Sequence, residues 1–168
     1  MNIAVKPASV AEALKAKPDG VLEMIAAQCG VPLRRVFDEL PHGAALQVAG
    51  GRFAEIWQEL TTWGDVLFIV HTSDIVLECK GLLPPGTIAQ GYFNIHGDSP
   101  IGGHIKADRC AAIYFIDRLF HGRRSCSVQF INGDGEAMFK VFVRRDEKRE
   151  LIADQLALFE ALRAKVVG

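Results

Sequence analysis

The stretch Cys126-Ser127-Val128-Gln129-Phe130-Ile131-Asn132-Gly133-Asp134-Gly135-Glu136-Ala137-Met138-Phe139-Lys140-Val141-Phe142-Val143 decides the fold. Cys126, Val128 and Phe130 alternate with Ser127 and Gln129, and Ala137, Phe139, Val141 and Val143 alternate with Met138, Lys140 and Arg144. A period of two sends successive side chains to opposite faces of a sheet. Between the runs, Asn132-Gly133-Asp134-Gly135 supplies residues that tolerate positive φ, so the stretch reads as an antiparallel hairpin.

Upstream, strands are expected over 111–120, 103–107 and 87–95. The apolar, β-branched runs 66–70 and 75–80 flank the polar Thr72-Ser73-Asp74 and read as two strands or one bent strand. Leu83-Pro84-Pro85-Gly86 is a firm break inside this region. Before residue 64 the period is helical. Ser9 is a candidate N-cap for a helix through Val10 and Leu14 that stops at Pro18-Asp19-Gly20. A second helix runs from Val21 to Cys29 with Gly30 as its stop, and Pro32 opens a third that carries Leu33, Val36, Phe37 and Leu40. A fourth, from Arg52 to Thr62, places Phe53, Ile56, Trp57 and Leu60 on one face. Downstream, Asp146 is the expected cap of a last helix striped by Ile152, Leu156, Phe159, Leu162 and Val166. The order is α+β: N-terminal short helices over 1–63, a large and mainly antiparallel sheet over 64–145, and a C-terminal helix over 146–168. With 168 residues and neither linker nor repeat, one domain spanning 1–168 is expected.

Composition narrows the function. Apolar residues make up 49% and charged residues 23%, which excludes a disordered or low-complexity chain. The net charge of −1 gives no overall field to gather nucleic acid or anionic lipid. The charge is uneven, however: residues 1–102 hold 7 basic and 11 acidic groups, and residues 103–150 hold 10 and 7. Lys106, Arg109, Arg118, Arg123 and Arg124 are therefore candidates to receive an anion locally or to guard strand edges. No run reaches the ~18–20 apolar residues of a membrane span, and Met1 to Val10 lacks a charged segment followed by an apolar one, so a cytoplasmic protein is expected. Cys29, Cys79, Cys110 and Cys126 are scattered and read as buried free thiols.

Three patterns bear on chemistry. Residues 25–36 bracket Gly30 with two amphipathic helices, as a helix-turn-helix requires, but Arg34 and Arg35 stand beside Asp38 and Glu39, so a recognition helix has little net charge. His71 ends the run Val66-Leu67-Phe68-Ile69-Val70, and His104 precedes Ile105-Lys106. An imidazole among apolar strand residues suits either a hydrogen-bonded half-buried histidine or an iron ligand in a dry pocket. His96, Asp98, His104, Asp108 and Cys110 are potential zinc ligands but have none of the familiar spacings, while His42 and His121 stand apart. No nucleophile elbow, P-loop or zinc-protease motif is present, so no catalytic residue is assigned.

The segments Val70-His71-Thr72-Ser73-Asp74-Ile75-Val76-Leu77-Glu78, Gly91-Tyr92-Phe93-Asn94-Ile95 and Gly102-Gly103-His104-Ile105-Lys106-Ala107 together resemble the intracellular haem-utilisation carriers called HutX, HuvX or ChuX. The resemblance extends to Lys17-Pro18-Asp19-Gly20, Trp63-Gly64 and Ala137-Met138-Phe139-Lys140-Val141-Phe142, and spans about 11–159. It implies an antiparallel sheet related to one half of the haemin-degrading proteins, a homodimer, and a cytoplasmic role in iron acquisition. Haem would be bound as cargo and passed to a downstream acceptor or haem-degrading protein. The family's two haem-associated histidines match His71 and His104. Chemistry alone suggests Tyr92 for packing on the porphyrin or hydrogen-bonding at its edge, Lys106 for a propionate, and Phe68 and Ile105 for covering the macrocycle. A haem-degrading, oxygenase-like enzyme and a helix-turn-helix regulator are the competing readings.

Overall fold

A computed structural model describes residues 9–168; the expectation for Met1 to Ala8 lies outside the described residues. The deciding hairpin is present as β8 (Arg123–Asn132) and β9 (Ala137–Phe142). Its turn is held by Asn132, whose Oδ1 accepts the backbone N–H groups of Asp134 and Glu136 at 3.0 and 3.1 Å. β8 also pairs with β7 (Cys110–Phe120) through a two-residue turn, His121-Gly122, in which both residues have positive φ. The two runs after residue 65 form β2 (Val66–His71) and β3 (Val76–Gly81), with Thr72 Oγ1 accepting from the backbone of Asp74 and Ile75 in the turn. Together with β1 (Ala45–Ala49) these strands make one antiparallel six-stranded sheet in the order β1-β7-β8-β9-β2-β3.

A second, three-stranded sheet is formed by β4 (Gly86–Ala89), β5 (Tyr92–Ile95) and β6 (Gly103–Ile105). The single strand expected over 87–95 is thus a hairpin, because Gln90 and Gly91 both take positive φ and reverse the chain. Gly86 is required here: a Cβ at this position would lie 2.1 Å from the Phe93 ring. Trp57 Nε1 donates to the carbonyl of Pro84 at 2.8 Å and anchors the proline break to the core.

The helices α1 (Val10–Ala16), α2 (Leu22–Cys29), α3 (Leu33–Asp38) and α4 (Phe53–Leu60) fall where expected. Ser9 caps α1 by accepting from the backbone of Glu12, and Gly30 closes α2 in the left-handed conformation. Three boundaries differ from expectation. The region before residue 64 is not all helix, because Ala45–Ala49 pairs residue by residue with β7 and becomes the edge strand β1. α3 stops at Asp38, before Leu40. The last helix, α5 (Ala153–Val167), starts well after Asp146, whose carboxylate instead accepts from the backbone of Lys148 and Glu150 and closes a turn.

The large sheet is covered differently on its two faces. On one, α4, α5 and the small sheet pack through Phe53, Trp57, Leu60, Phe93 and Phe159 onto Phe115, Val128, Phe130, Phe139 and Val141. Each fully buried aromatic or aliphatic side chain there contributes about 2 kcal/mol by area. On the other, α1–α3 pack through Leu14, Ile25, Leu33, Val36 and Phe37 onto Ala112, Tyr114, Ile116 and Ile131. The apolar face of α3 is therefore spent on the sheet, and Arg34 donates to the Tyr114 hydroxyl at 3.2 Å.

Candidate functional site

α1–α3 pack over the β7 side of the second face, and strand register fixes what the rest of that face presents. Across one row run Lys80, Leu67, Phe142, Ser127 and Ile116; across the next, Glu78, Ile69, Lys140, Gln129 and Tyr114; and at the end of β2, His71 stands opposite Val76. Over these rows lies a trough of about 470 Å³, walled by Val21, Leu22 and Glu23 at the start of α2 and by Arg118, Phe120, Arg144 and Arg145. The size falls within the ~300–1,000 Å³ typical of small-molecule pockets.

The floor of the trough mixes apolar side chains with Lys80, Glu78, Ser127, Gln129 and Lys140, and its walls carry Arg118, Arg144 and Arg145. Leu67, Ile69, Val76, Phe142 and Ile116 supply flat apolar surface. Among the lining residues, Lys80, Arg118, Lys140, Arg144 and Arg145 outnumber Glu23 and Glu78 by three, while Arg144 also pairs with Asp65 and Arg118 lies near Asp19. Two polar groups are left open. Gln129, 5% exposed, donates to Ser127 Oγ at 3.1 Å but its Oε1 has no partner among the described residues; Arg118 donates to the carbonyls of Pro18 and Gly20, both at 2.9 Å, while its buried Nε has none among them.

Lys140 is the deepest charge. Its side chain is 7% exposed, it forms an ion pair with Glu23, and burial pushes its ammonium down to about 8. His71 joins this pair, with Nδ1 3.4 Å from both Lys140 Nζ and Glu23 Oε1. Burial likewise holds the Arg118 guanidinium below its ordinary range, with Asp19 opposing the shift.

His104 is elsewhere. It lies on β6 of the small sheet, exposed, with Nδ1 2.6 Å from Asn94 Oδ1. Tyr92 packs edge-on to it at 5.9 Å between ring centroids, and Lys106 Nζ sits 4.1 Å above the Tyr92 ring. The structure thus gathers Tyr92, His104 and Lys106 into one cluster and sets His71 in another; His104 is not among the residues lining the trough. Phe68 does not face the trough: it stacks on Phe139 in the opposite core, which Ile105 also joins, and Leu67, Ile69 and Phe142 line the trough instead. The ring of His96 lies 5.8 Å from that of His104, yet among the described residues no three His, Cys, Asp or Glu side chains converge as a metal site would require. All four cysteines are free, but only Cys110 and Cys126 are buried; Cys29 and Cys79 are partly exposed. Glu23, Ser127, Gln129 and Lys140 were not singled out by sequence. For Ser127, Gln129 and Lys140 the one signal was the polar half of the β8–β9 alternation, which looks solvent-facing until the trough wall is in place; Glu23 on α2 gave none.

The sequence profile of the haem utilisation proteins ChuX/HutX matches residues 46–162. This chain belongs to the ChuX/HutX family. The intracellular heme transport protein HutX of Vibrio cholerae is 33% identical over 154 residues, covering 91% of this chain and 80% of that one. A crystal structure from Agrobacterium tumefaciens is 57% identical with a TM-score of 0.86, covering 94% of this chain and 90% of its own. The heme-binding protein ChuX is 39% identical with a TM-score of 0.86, over 95% of this chain and 100% of that one. This ChuX/HutX chain also shares its fold with one half of ChuS, described as an E. coli heme oxygenase: the TM-score is 0.75 at 13% identity, over 94% of this chain and 50% of that one. No described helix is long and apolar enough to cross a membrane.

Proposed function

We propose that this chain is a cytoplasmic haem carrier that accepts imported haem, holds its iron through histidine and yields it to a downstream acceptor without chemical turnover. Haem presents a flat apolar macrocycle, two carboxylates and a Lewis-acidic iron. One observation carries the reading: a single trough offers apolar floor side chains in Leu67, Ile69 and Phe142, a cationic side of Arg118, Arg144 and Arg145, and an imidazole at His71. The kinship with a protein named for intracellular heme transport supports the same role.

His71 is the axial ligand inside the trough. His104, with Tyr92 against its edge and Lys106 beside it for a propionate, is the second iron ligand, outside the trough, serving loading or release. Ile75 and Leu77 at the β2–β3 turn, Leu82 after β3 and Ile88 on β4 leave apolar surface exposed, and a second copy of the chain covers it in a homodimer.

Hemin titration of wild type, His71→Ala, His104→Ala and the double variant, followed by absorption spectroscopy, tests the assignment. A saturable histidine-type spectrum that weakens in each single variant and disappears in the double one is expected. An identical, unsaturable signal in all four would refute haem carriage. The same samples supplied with ascorbate test the competing activity: loss of the haem spectrum with bilin formation would replace the carrier with an enzyme. Equilibrium sedimentation with and without hemin reports the homodimer.

A further inference from the structure

Asn94 on β5 stands directly across from His104 on β6. Its Nδ2 lies 3.3, 3.1 and 3.2 Å from the backbone carbonyl oxygens of Thr87, Ala89 and Tyr92. All three are acceptors only, so the amide nitrogen must face them and the amide oxygen must face the histidine. That oxygen, 2.6 Å from His104 Nδ1, is itself only an acceptor. The short contact is a hydrogen bond only if Nδ1 carries the proton. A neutral imidazole has one N–H, so its Nε2 is left with a free lone pair.

We propose that Asn94 is a positioning residue for iron ligation by His104: it locks the Nδ1–H tautomer and holds Nε2 ready for the metal. This rests on the carrier reading above and deepens it. A histidine free in water favours the opposite tautomer, with the proton on Nε2, where it must be lost or moved before iron can bind. Here the β4–β5 turn preorganises the choice, because the three carbonyls that orient Asn94 are those of the hairpin backbone itself. The rings of Tyr92 and His96, 5.9 and 5.8 Å from His104, flank the imidazole at steep angles. His71 is built differently. Its Nδ1 meets a donor, Lys140, and an acceptor, Glu23, at the same 3.4 Å, so neither tautomer is imposed. The pair thus comprises one preset ligand and one adjustable ligand.

The test begins without haem. Long-range ¹H–¹⁵N NMR of the apo-protein at alkaline pH, where neutral imidazole dominates, reads the tautomer of His104 directly, with His104→Gln assigning the signal. Nδ1–H is expected in wild type; Nε2–H would overturn the proposal with no variant needed. Asn94→Ala should move the population toward Nε2–H, and an unchanged tautomer would overturn it equally. Hemin then supplies the functional arm. In a His71→Ala background, which leaves His104 as the histidine ligand, Asn94→Ala should weaken hemin binding about 10-fold. An unchanged affinity together with an unchanged reduction potential in Asn94→Ala would overturn the role. If wild type shows Nδ1–H yet never gives a histidine-type hemin spectrum, the carrier reading fails and takes the ligation role with it, while the tautomer lock stands.

Discussion

Replacing Lys140 with methionine should stabilise the protein at neutral pH, although it breaks an ion pair. The Lys140 side chain is 7% exposed and its ammonium is pushed down to about 8 from 10.5, a shift of about 2.5. At about 1.4 kcal/mol per unit, carrying that charge costs the fold about 3 kcal/mol. Glu23 offsets part of it, but its own carboxylate is 22% exposed and therefore hydrated without the lysine. Methionine of similar length removes the cost and keeps the packing, so a net gain of about 1–2 kcal/mol is expected. Glu23→Gln leaves the ammonium buried and poorly paired and should lose about 2 kcal/mol. The pH dependence follows from the sign of the shift. Below about 8 the lysine is protonated in both states and the folded state bears the full cost; between 8 and 10.5 the unfolded state holds the extra proton, so stability rises with pH; above 10.5 the cost is gone. The advantage of Lys140→Met over wild type must shrink across that window. Urea unfolding of the three proteins at several pH values measures it. A methionine variant less stable than wild type at pH 7, or a difference flat from pH 8 to 10.5, would refute the reasoning.

Other expectations are simpler. Arg124 donates two hydrogen bonds to Asp117, at 2.9 and 2.8 Å, and they hold that carboxyl below its ordinary range; Asp117→Asn should cost about 1–2 kcal/mol at pH 7, a difference that fades in acid unfolding curves as the pH falls through the lowered value. Burial raises Cys110 to about 11 and Cys126 to about 12, so mass spectrometry after iodoacetamide should find Cys29 and Cys79 labelled in the native protein and the other two only after unfolding. Gly50→Ala would put a Cβ 2.0 Å from the carbonyl oxygen of Cys110, where only backbone can yield, and should lower stability by about 3 kcal/mol in the same urea assay. Arg144→Ala should weaken hemin binding about 5-fold, yet leave the affinity for hemin dimethyl ester, which lacks the carboxylates, unchanged.

The fold was legible wherever local pattern and tertiary environment agree. The β8–β9 alternation, the Ser9 cap and the Gly30 stop are all present as read. β1 was hidden because Ala45–Ala49 is short and flanked by glycines, and it becomes a strand only by pairing with β7. Parity misled at Phe68: a period of two separates Leu67 and Ile69 from Phe68, but both sets are apolar, and only the docking of α4 and α5 decides which face is core. Of the site, His71 showed itself by ending an apolar run. Glu23 could not, since the lysine that defines its role stands 117 positions away. The grouping of Tyr92 with His104 was foreshadowed by the family motifs and is realised by β5–β6 pairing.

The strand order has a kinetic consequence. β9, the last strand made, sits between β8 and β2, and Lys140 reaches His71 across 69 positions of chain. Until β9 inserts, β2 and β3 are a hairpin detached from the sheet, and the trough has walls but no middle. Non-local pairing of this kind slows folding. During synthesis the trough is therefore completed only once the ribosome has released β9, whereas the Tyr92, His104 and Lys106 cluster is made earlier.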